Sequence, residues 1–361
     1  MKLLITTPIY PPDIGGPATY VSTLVQKVPK TVKTEVISFG EKNKNTKGLS
    51  IISIRKSFFT RQFNLLNTLL SKLKEVDWCY VQGTLTVGLT SMLACKLRGK
   101  AYVVKYVGDE AWETYQRNGG KLQLEEFLFS KKSFLFTILV WLQKIVLQNA
   151  QYVVVPSGSL KKLLRTYYAT EAVTIPNAVT VPKIPVKKKP YSIITVGRLV
   201  PWKNVDIVIK AFSELVSSSS KPWKLTIIGE GPEGARLKRQ CQKLKVTDRV
   251  VFKGKCSKKQ TLQEITASEF LVLYSSYEGL SHTLLEAMAL KTKIIASDIA
   301  ANKDVLDNGK LGRLVVLDDI TALTKAFKEY FPKEVVEKAY RNVSTVYTWE
   351  KHCNKLLSLL S

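Results

Sequence analysis

The sequence predicts an α/β protein built from two doubly wound domains. Short apolar runs rich in β-branched residues alternate with amphipathic helical stretches along the whole chain. The length of 361 residues is about that of two domains. The alternation is interrupted once, by a segment rich in proline and lysine at Val179–Pro190, and then starts again. The segment without periodicity therefore predicts a linker between two similar halves.

Each half contains a series of candidate strands and helices. The predicted strands of the first half are Lys2–Thr7, Glu35–Phe39, Trp78–Gln82, Ala101–Tyr106 and Gln151–Val155, with helices at Ala18–Val28 and Thr86–Leu97. The predicted strands of the second half are Tyr191–Val196, Lys224–Ile228, Arg249–Phe252, Phe270–Tyr274 and Lys293–Ala296. Its predicted helices are Asn204–Val216, Pro232–Leu244, His282–Leu290, Lys333–Val343 and Trp349–Leu360. Because ligands of open parallel sheets bind beyond the carboxyl ends of the strands, we expect the chemical residues in the loops that follow strands.

Composition excludes several classes of protein. Hydrophobic residues make up 45% of the chain and charged residues 23%, which is typical of ordered globular domains. The five cysteines form no CxxC pair, so we expect free thiols, no zinc site and a reducing cytosol. The N-terminal apolar run is broken by Pro8, Pro11 and Pro12, and the apolar stretch Phe134–Leu142 is too short to cross a bilayer. We therefore expect a cytoplasmic protein, soluble or peripheral at the inner face of the cell membrane.

The net charge of +26 is spread over the whole chain. Residues 1–180 hold 24 Lys and Arg against 11 Asp and Glu, and residues 181–361 hold 31 against 18, so each half carries +13. Such a surface attracts nucleotide phosphates, anionic lipid headgroups or nucleic acid. The alternative is an organism whose proteins are rich in lysine throughout. A basic nucleic-acid-binding protein is a second interpretation, but the chain lacks a helix-turn-helix, zinc-finger or RNP signature.

Three loops that follow predicted strands carry glycine or cationic side chains. Gly15 and Gly16 precede a helix and leave backbone amides open to a phosphate, unless the loop is a plain strand–helix turn. Arg198 and Lys203 could clamp one diphosphate and stabilise its negative charge, unless they are solvated surface cations. The third loop contains Gly229, Glu230 and Gly231. Its glycines would let the backbone approach a base or phosphate closely, unless the loop is a simple strand–helix turn.

The strongest motif is the segment Glu278–Ala289. Glu286 lies on an otherwise apolar predicted helix, where a carboxylate is unfavourable without a polar partner such as ribose hydroxyls. Glu278 precedes it in the loop and could face a sugar, and the alternative for Glu286 is that it merely faces solvent. Backbone amides at the start of the helix could bind phosphate, in the stretch Gly279, Leu280, Ser281 and Thr283.

These motifs together resemble glycosyltransferase family 4, retaining enzymes of GT-B fold with two Rossmann-like domains facing across a cleft. The resemblance rests on GRLVPWKN, IIGEGPE and EGLSHTLLEAMA in this order, and on the looser PPDIGGPATYVSTL, VVVPSGSLKKLL, IPNAV and TWEKH. It implies an acceptor domain at 1–180, a linker at 181–190, a donor domain at 191–345, and a terminal helix at 346–361 that crosses back to the first domain.

The resemblance also implies roles for individual residues. Arg198 and Lys203 would bind the donor diphosphate, Glu286 the ribose, and Glu278 the sugar hydroxyls, as a catalytic group. Gly15 and Gly16 would lie under the diphosphate or the acceptor. The partners implied are a nucleotide-sugar donor and a saccharide or lipid-linked acceptor, with no specific nucleic acid. The reaction implied is the transfer of a hexose-type sugar with retention in glycan, polysaccharide or glycolipid synthesis, and the alternative is an epimerase-like GT-B enzyme.

One departure from the family concerns the acceptor side. Many members carry a histidine after the fourth strand, whereas this chain has Gly108 there, followed by Asp109. Asp109, Glu110 or Glu113 could orient an acceptor hydroxyl, so Asp109 is a catalytic candidate; the alternative is that Asp109 caps a helix starting at Glu110. A front-face substitution needs no protein base, because the leaving phosphate oxygen can accept the proton. No cofactor and no metal are expected, since no Asp-x-Asp motif follows a strand.

The segment Lys121–Leu147 combines aromatic residues with lysines. A basic, aromatic, amphipathic segment can lie on an anionic membrane. The alternative is a loop followed by a core helix, which we favour for Thr137–Gln148. The earlier part of the segment stays open as a membrane contact.

Overall fold

The chain divides into two α/β units. In a computed structural model, which describes residues 1–13, 15–41, 44–182, 184–185 and 187–361, one unit contains Met1–Pro176 and Trp349–Ser361. The other contains Asn177–Thr348. Each unit holds one sheet with helices packed against it, so the predicted α/β class with two sheets is confirmed.

Among the described residues, the sheet of the first unit has eight strands. They are β1 Lys2–Thr7, β2 Lys33–Gly40, β3 Lys44–Thr46, β4 Leu49–Ser53, β5 Trp78–Gln82, β6 Tyr102–Lys105, β7 Tyr152–Val155 and β8 Val173–Thr174. Their order is β3-β4-β2-β1-β5-β6-β7-β8, and every neighbouring pair is parallel except β3 with β4. Leu3, Leu4 and Ile5 of the central β1 are fully buried, as is typical of a strand covered on both faces.

The helices of the first unit alternate with these strands. They are α1 Gly16–Lys27, α2 Phe58–Lys72, α3 Gly88–Arg98, α4 Glu110–Arg117, α5 Leu124–Phe129, α6 Phe134–Gln148 and α7 Gly158–Tyr168. Ser57 caps α2 by accepting a hydrogen bond from the Thr60 amide. Helix α3 ends at Gly99, whose φ of 59° lies in the left-handed region that favours glycine.

The sheet of the second unit has six strands within the residues that the structure describes, and all are parallel. They are β9 Ser192–Val196, β10 Lys224–Ile228, β11 Val250–Gly254, β12 Phe270–Leu273, β13 Lys293–Ser297 and β14 Arg313–Val315. Their order is β11-β10-β9-β12-β13-β14. This doubly wound order reverses direction between β9 and β12, and ligands of such sheets bind in the crevice beyond the carboxyl ends at that point.

In the described part of this unit, seven helices connect or follow these strands. They are α8 Val205–Ser217, α9 Gly234–Lys243, α10 Lys258–Ala267, α11 His282–Ala289, α12 Ala300–Leu306, α13 Ile320–Lys328 and α14 Lys333–Val346. The last helix of the chain, α15 Trp349–Leu360, belongs to the first unit. His352 fixes it there, because its Nε2 lies 2.7 Å from the hydroxyl of Tyr20 and its Nδ1 lies 2.7 Å from the carbonyl oxygen of Pro176.

The segment predicted as a linker at 181–190 packs on the second unit. Lys183 and Val186 of this prediction lie outside the described residues. Val179, Val181 and Ile184 pack against the apolar cluster around α11, and Lys188 donates to the carbonyl oxygen of Ser268 at 3.1 Å. Aliphatic side chains between the prolines give the segment an apolar surface that packs on the second unit. The sequence did not predict this packing, because the segment has no regular apolar periodicity.

A lysine is buried in the first unit at the end of β6. Lys105 is 1% exposed, and its Nζ has no hydrogen-bond partner among the described residues. The Nζ lies 3.3 Å from the centroid of the Tyr20 ring. Burial lowers the pKa of Lys105 well below its usual range, because the protein interior disfavours the charged ammonium.

We predict that Lys105→Met stabilises the protein and flattens its pH dependence. Between the lowered pKa and the ordinary value of about 10.4, the unfolded chain binds a proton that the folded chain does not, so wild-type stability falls as pH decreases through this window. Removing the unpaired group should raise the free energy of unfolding at neutral pH by about 1–3 kcal/mol. Chemical denaturation at several pH values, with the exposed Lys96→Met as control, measures both effects. Parallel pH profiles for wild type and Lys105→Met would contradict the assignment.

Candidate active site

An ion pair joins the loops that follow β9 and β12. The Lys203 ammonium lies 2.5 Å from Oε1 of Glu278, and the Ser275 hydroxyl donates to the same oxygen at 2.7 Å. The side chains of Lys203 and Glu278 are 20% and 11% exposed. Because β9 and β12 are the strands on either side of the reversal in strand order, this pair lies at the predicted binding crevice of the second sheet.

The local backbone explains why Lys203 reaches this position. After β9 the chain forms a short 3-10 turn at Pro201–Lys203, and Asn204 ends it with a φ of 47°. The Asn204 side chain donates to the carbonyl oxygen of Tyr274 at 3.2 Å, which ties the turn to the end of β12. Lys203 therefore projects from a turn that is tied to the end of β12.

Arg198 lies in the same loop but is exposed. No described residue forms a hydrogen bond or ion pair with its guanidinium, whose planar donors can bind two oxygens of a phosphate. One cation of the predicted pair is thus held by a carboxylate and the other is available to an anion.

The glycines of the β10 loop allow it to pack against the β9 loop. Gly229 has a φ of 132°, and a side chain there would collide with the carbonyl oxygen of Gly197. A side chain at Gly231 would collide with the carbonyl oxygen of Leu199. Glu230, between them, accepts a hydrogen bond from the Lys255 amide at 3.2 Å. Close backbone packing between loops therefore accounts for these glycines without a ligand.

Glu286 is buried on α11 and paired with a lysine that sequence reasoning missed. Glu286 is 6% exposed, and its Oε1 contacts the ammonium of Lys258, the first residue of α10. The alternative that Glu286 faces solvent does not hold. The Lys258 side chain is half exposed, so the pair opens to solvent on the lysine side. Glu286 thus needs a polar partner, as predicted, and finds one within the protein.

The start of α11 forms the remainder of the predicted donor site. Ser281 caps the helix by accepting from the Leu284 amide at 3.4 Å, and His282 begins it. Leu280 is buried, whereas Thr283 is partly exposed. Gly279 lies in the loop between Glu278 and the cap.

The two glycines predicted near the diphosphate lie in the first unit. Gly15 immediately precedes α1 in extended backbone, and a side chain there would meet Cδ1 of Ile9. Gly16 is the first residue of α1 and has open space where a side chain would be. The β1 loop is therefore open at Gly16.

Asp109 is fully buried and caps α4. Its Oδ1 accepts from the Trp112 amide at 2.8 Å, and its Oδ2 accepts from the hydroxyls of Tyr106 at 3.0 Å and Tyr168 at 2.5 Å. Burial raises the pKa of Asp109, and these hydrogen bonds oppose the rise. The structure thus shows the capping alternative for Asp109, and it gives this carboxylate no exposed surface for contact with an acceptor.

Glu110 and Glu113, the other acceptor-side candidates, differ in their surroundings. Glu110 accepts from the amides of Leu85 at 3.1 Å and Thr86 at 2.9 Å, so it fixes the loop after β5. Glu113 is partly exposed on α4. Within the described residues, no group of three His, Cys, Asp or Glu side chains could hold a metal ion.

Comparison with known proteins shows what the second unit is similar to. Residues 179–344 match the family described as Glycosyl transferases group 1. The alpha-monoglucosyldiacylglycerol synthase of Streptococcus pneumoniae is 30% identical over 114 residues, which cover 32% of this chain and 26% of that protein. The chain spans only about a fifth to a half of the length of the curated relatives it matches, with values of 18%, 52% and 26%.

Solved structures resemble the whole chain. The apo lipopolysaccharide outer core galactosyltransferase WaaB has a TM-score of 0.69 at 20% identity, covering 99% of this chain and 100% of that one. Alr3699/HepE of Anabaena, solved with UDP and glucose, has a TM-score of 0.78 at 15% identity, covering 100% and 99%. The fold is therefore the GT-B type with two Rossmann-like units, as predicted, and the second unit is similar to group 1 glycosyl transferases.

We predict that Lys258→Ala destabilises the protein because it leaves the buried Glu286 carboxylate without its cation. The loss should be about 1–2 kcal/mol, below the value for a fully buried pair because Lys258 is half exposed. Lys259→Ala, an exposed neighbour on the same helix, is the matched control. Adding Glu286→Gln to Lys258→Ala should restore most of the stability. Equal denaturation midpoints for Lys258→Ala and Lys259→Ala would show that the pair has no energetic role.

Proposed function

We propose that the protein is a retaining, metal-independent glycosyltransferase that transfers a hexose-type sugar from a nucleotide diphosphate sugar to an acceptor hydroxyl. The observation that carries the proposal is the Lys203–Glu278 pair at the switch point of the second sheet, with the exposed Arg198 in the same loop. The similarity of residues 179–344 to group 1 glycosyl transferases supports it. Glycan, polysaccharide or glycolipid synthesis at the inner membrane face is the proposed setting.

Each side chain of the site has a distinct task in this proposal. Arg198 and Lys203 bind the diphosphate and stabilise the charge that develops on it as the glycosidic bond breaks. Glu278 accepts hydrogen bonds from sugar hydroxyls while it continues to orient Lys203. Glu286 accepts hydrogen bonds from the ribose hydroxyls, which take the place of Lys258 at its oxygen. Asp109 acts structurally, as the cap of α4.

The acceptor proton needs no dedicated base in this reaction. With Asp109 buried, the leaving phosphate oxygen accepts the proton on the same face of the sugar, and the protein contributes positioning and charge stabilisation. Two cations near one diphosphate supply the positive charge that a divalent metal would otherwise provide. The UDP and glucose recorded with Alr3699/HepE support a nucleotide diphosphate hexose as the class of donor.

We predict that Lys203→Ala and Glu286→Ala each weaken donor binding by about 10- to 100-fold, the range expected when a charge-assisted hydrogen bond is lost. Lys210→Ala, an exposed lysine on α8, is the control for a change of charge in the same unit. A thermal-shift screen of uridine, guanosine and adenosine diphosphate sugars identifies the donor, and calorimetry then measures affinity. Unchanged donor affinity in both variants would show that the site has been assigned to the wrong residues.

We predict that a chelator leaves turnover unchanged once the donor is known. The test follows product formation with and without EDTA, and then with added Mn²⁺. Activity that EDTA abolishes and Mn²⁺ restores would contradict a cation pair acting without metal.

A further inference from the structure

Three phenylalanines are exposed at the start of α2. Phe58, Phe59 and Phe63 are 57%, 82% and 62% exposed, although aromatic side chains of this size are normally buried. Phe58 and Phe59 occupy the first turn of the helix, and Phe63 follows one turn later. None of the three is needed for the core of the first unit, whose contribution from α2 comes from Leu65 and Leu69.

The apolar surface continues onto neighbouring helices. α3 packs against both α2 and α6, so the three helices lie side by side with α3 in the middle. On α3, Leu93 and Leu97 are exposed, and on α6, Leu135 and Trp141 are exposed. We call the exposed surface of α2, α3 and α6 the three-helix face.

The charged side chains within these three helices are all cationic, and one of them, Lys72, pairs with Glu35 of β2 at 2.5 Å. The sequences of α2, α3 and α6 contain no Asp or Glu, and their charged residues are Arg61, Lys72, Lys96, Arg98 and Lys144. Arg55 and Lys56, just before α2, are exposed as well. A face with scattered apolar side chains and an excess of cations is complementary to an anionic bilayer, which offers headgroup phosphates and an apolar interior together. A second copy of the chain would bring the same cations against it and be repelled.

The face also borders the functional edge of its own sheet. α2 follows β4, α3 follows β5 and α1 follows β1, so the first residues of all three helices lie at the carboxyl edge of the parallel strands. Phe58 and Phe59 lie at that edge, as does the loop with Gly15 and Gly16. A bilayer against the three-helix face would thus lie next to this edge of the first unit.

We propose that the three-helix face docks on an anionic lipid bilayer and presents the carboxyl edge of the first sheet to acceptors anchored in that bilayer. The role of the acceptor in this inference rests on the proposed transferase function. Binding of the three-helix face to a bilayer can be measured without catalysis. The components of this face are the exposed aromatic side chains of α2, the apolar residues of α3 and α6, and the cations between them. The described residues contain no helix that is both long and apolar enough to cross a membrane.

Vesicle co-sedimentation of the full chain tests the proposal. Vesicles of phosphatidylcholine alone are compared with vesicles that also contain phosphatidylglycerol. We expect binding at least about tenfold stronger to the anionic vesicles, because several cations near an anionic surface each contribute. Phe58→Ser with Phe59→Ser should reduce that binding about tenfold or more. Val316→Ser with Tyr330→Ser, exposed apolar residues of the second unit, is the matched control and should bind as wild type does.

A charge exchange tests the electrostatic part separately. Arg55→Glu with Lys56→Glu should lower binding to anionic vesicles, whereas Lys238→Glu with Arg239→Glu, an equal change on the exposed surface of α9, should lower it far less. Equal binding to neutral and anionic vesicles, equal loss in both charge variants, or self-association through the face without vesicle binding would each overturn the proposal. Thermal shift with the donor nucleotide should be unchanged in Phe58→Ser/Phe59→Ser, so a failure of docking and a failure of donor binding are distinguishable.

Discussion

Two carboxylates at the carboxyl edge of the second sheet are each neutralised by a lysine from another segment of the chain. Glu278 pairs with Lys203 from the β9 loop, and Glu286 pairs with Lys258 from the start of α10. A buried carboxylate without a partner is strongly unfavourable. Each ion pair therefore holds together the two segments that it joins. The same groups are those that a sugar attached to a diphosphate would need. In the function we propose, the site is formed before a ligand arrives, and binding would exchange the internal partners for ligand oxygens and hydroxyls.

The topology explains why these groups meet. In the order β11-β10-β9-β12-β13-β14, the strands that carry Lys203 and Ser275 are neighbours although their loops are far apart in the chain. Glycines at 229 and 231 let the β10 loop press against the β9 loop. The first unit uses its polar residues differently, since Asp109 and Glu110 there stabilise a helix start and a loop. The two units thus share an architecture, while the charged pairs described above belong to the second.

The sequence predicted regular elements where local pattern and burial agree. The bounds of β10 and α15 were predicted as observed, because apolar runs or amphipathic periodicity mark both ends. The short edge strand β14 was missed, since three residues that include Arg313 carry no period. α10 was also missed, although Ser257 and Gln260 form a capping box that signals its start. Lys258 itself could not be predicted, because only the fold brings it to Glu286 across 28 residues.

We propose that Arg198, Lys203 and Glu286 bind one nucleotide diphosphate sugar. A crystal structure of the full chain with its donor tests this most directly. We expect phosphate oxygens within hydrogen-bonding distance of Arg198 and Lys203, and ribose hydroxyls at the Glu286 carboxylate in place of Lys258. A donor bound elsewhere, with the Lys203–Glu278 and Lys258–Glu286 pairs both unchanged and no phosphate near Arg198, would contradict it.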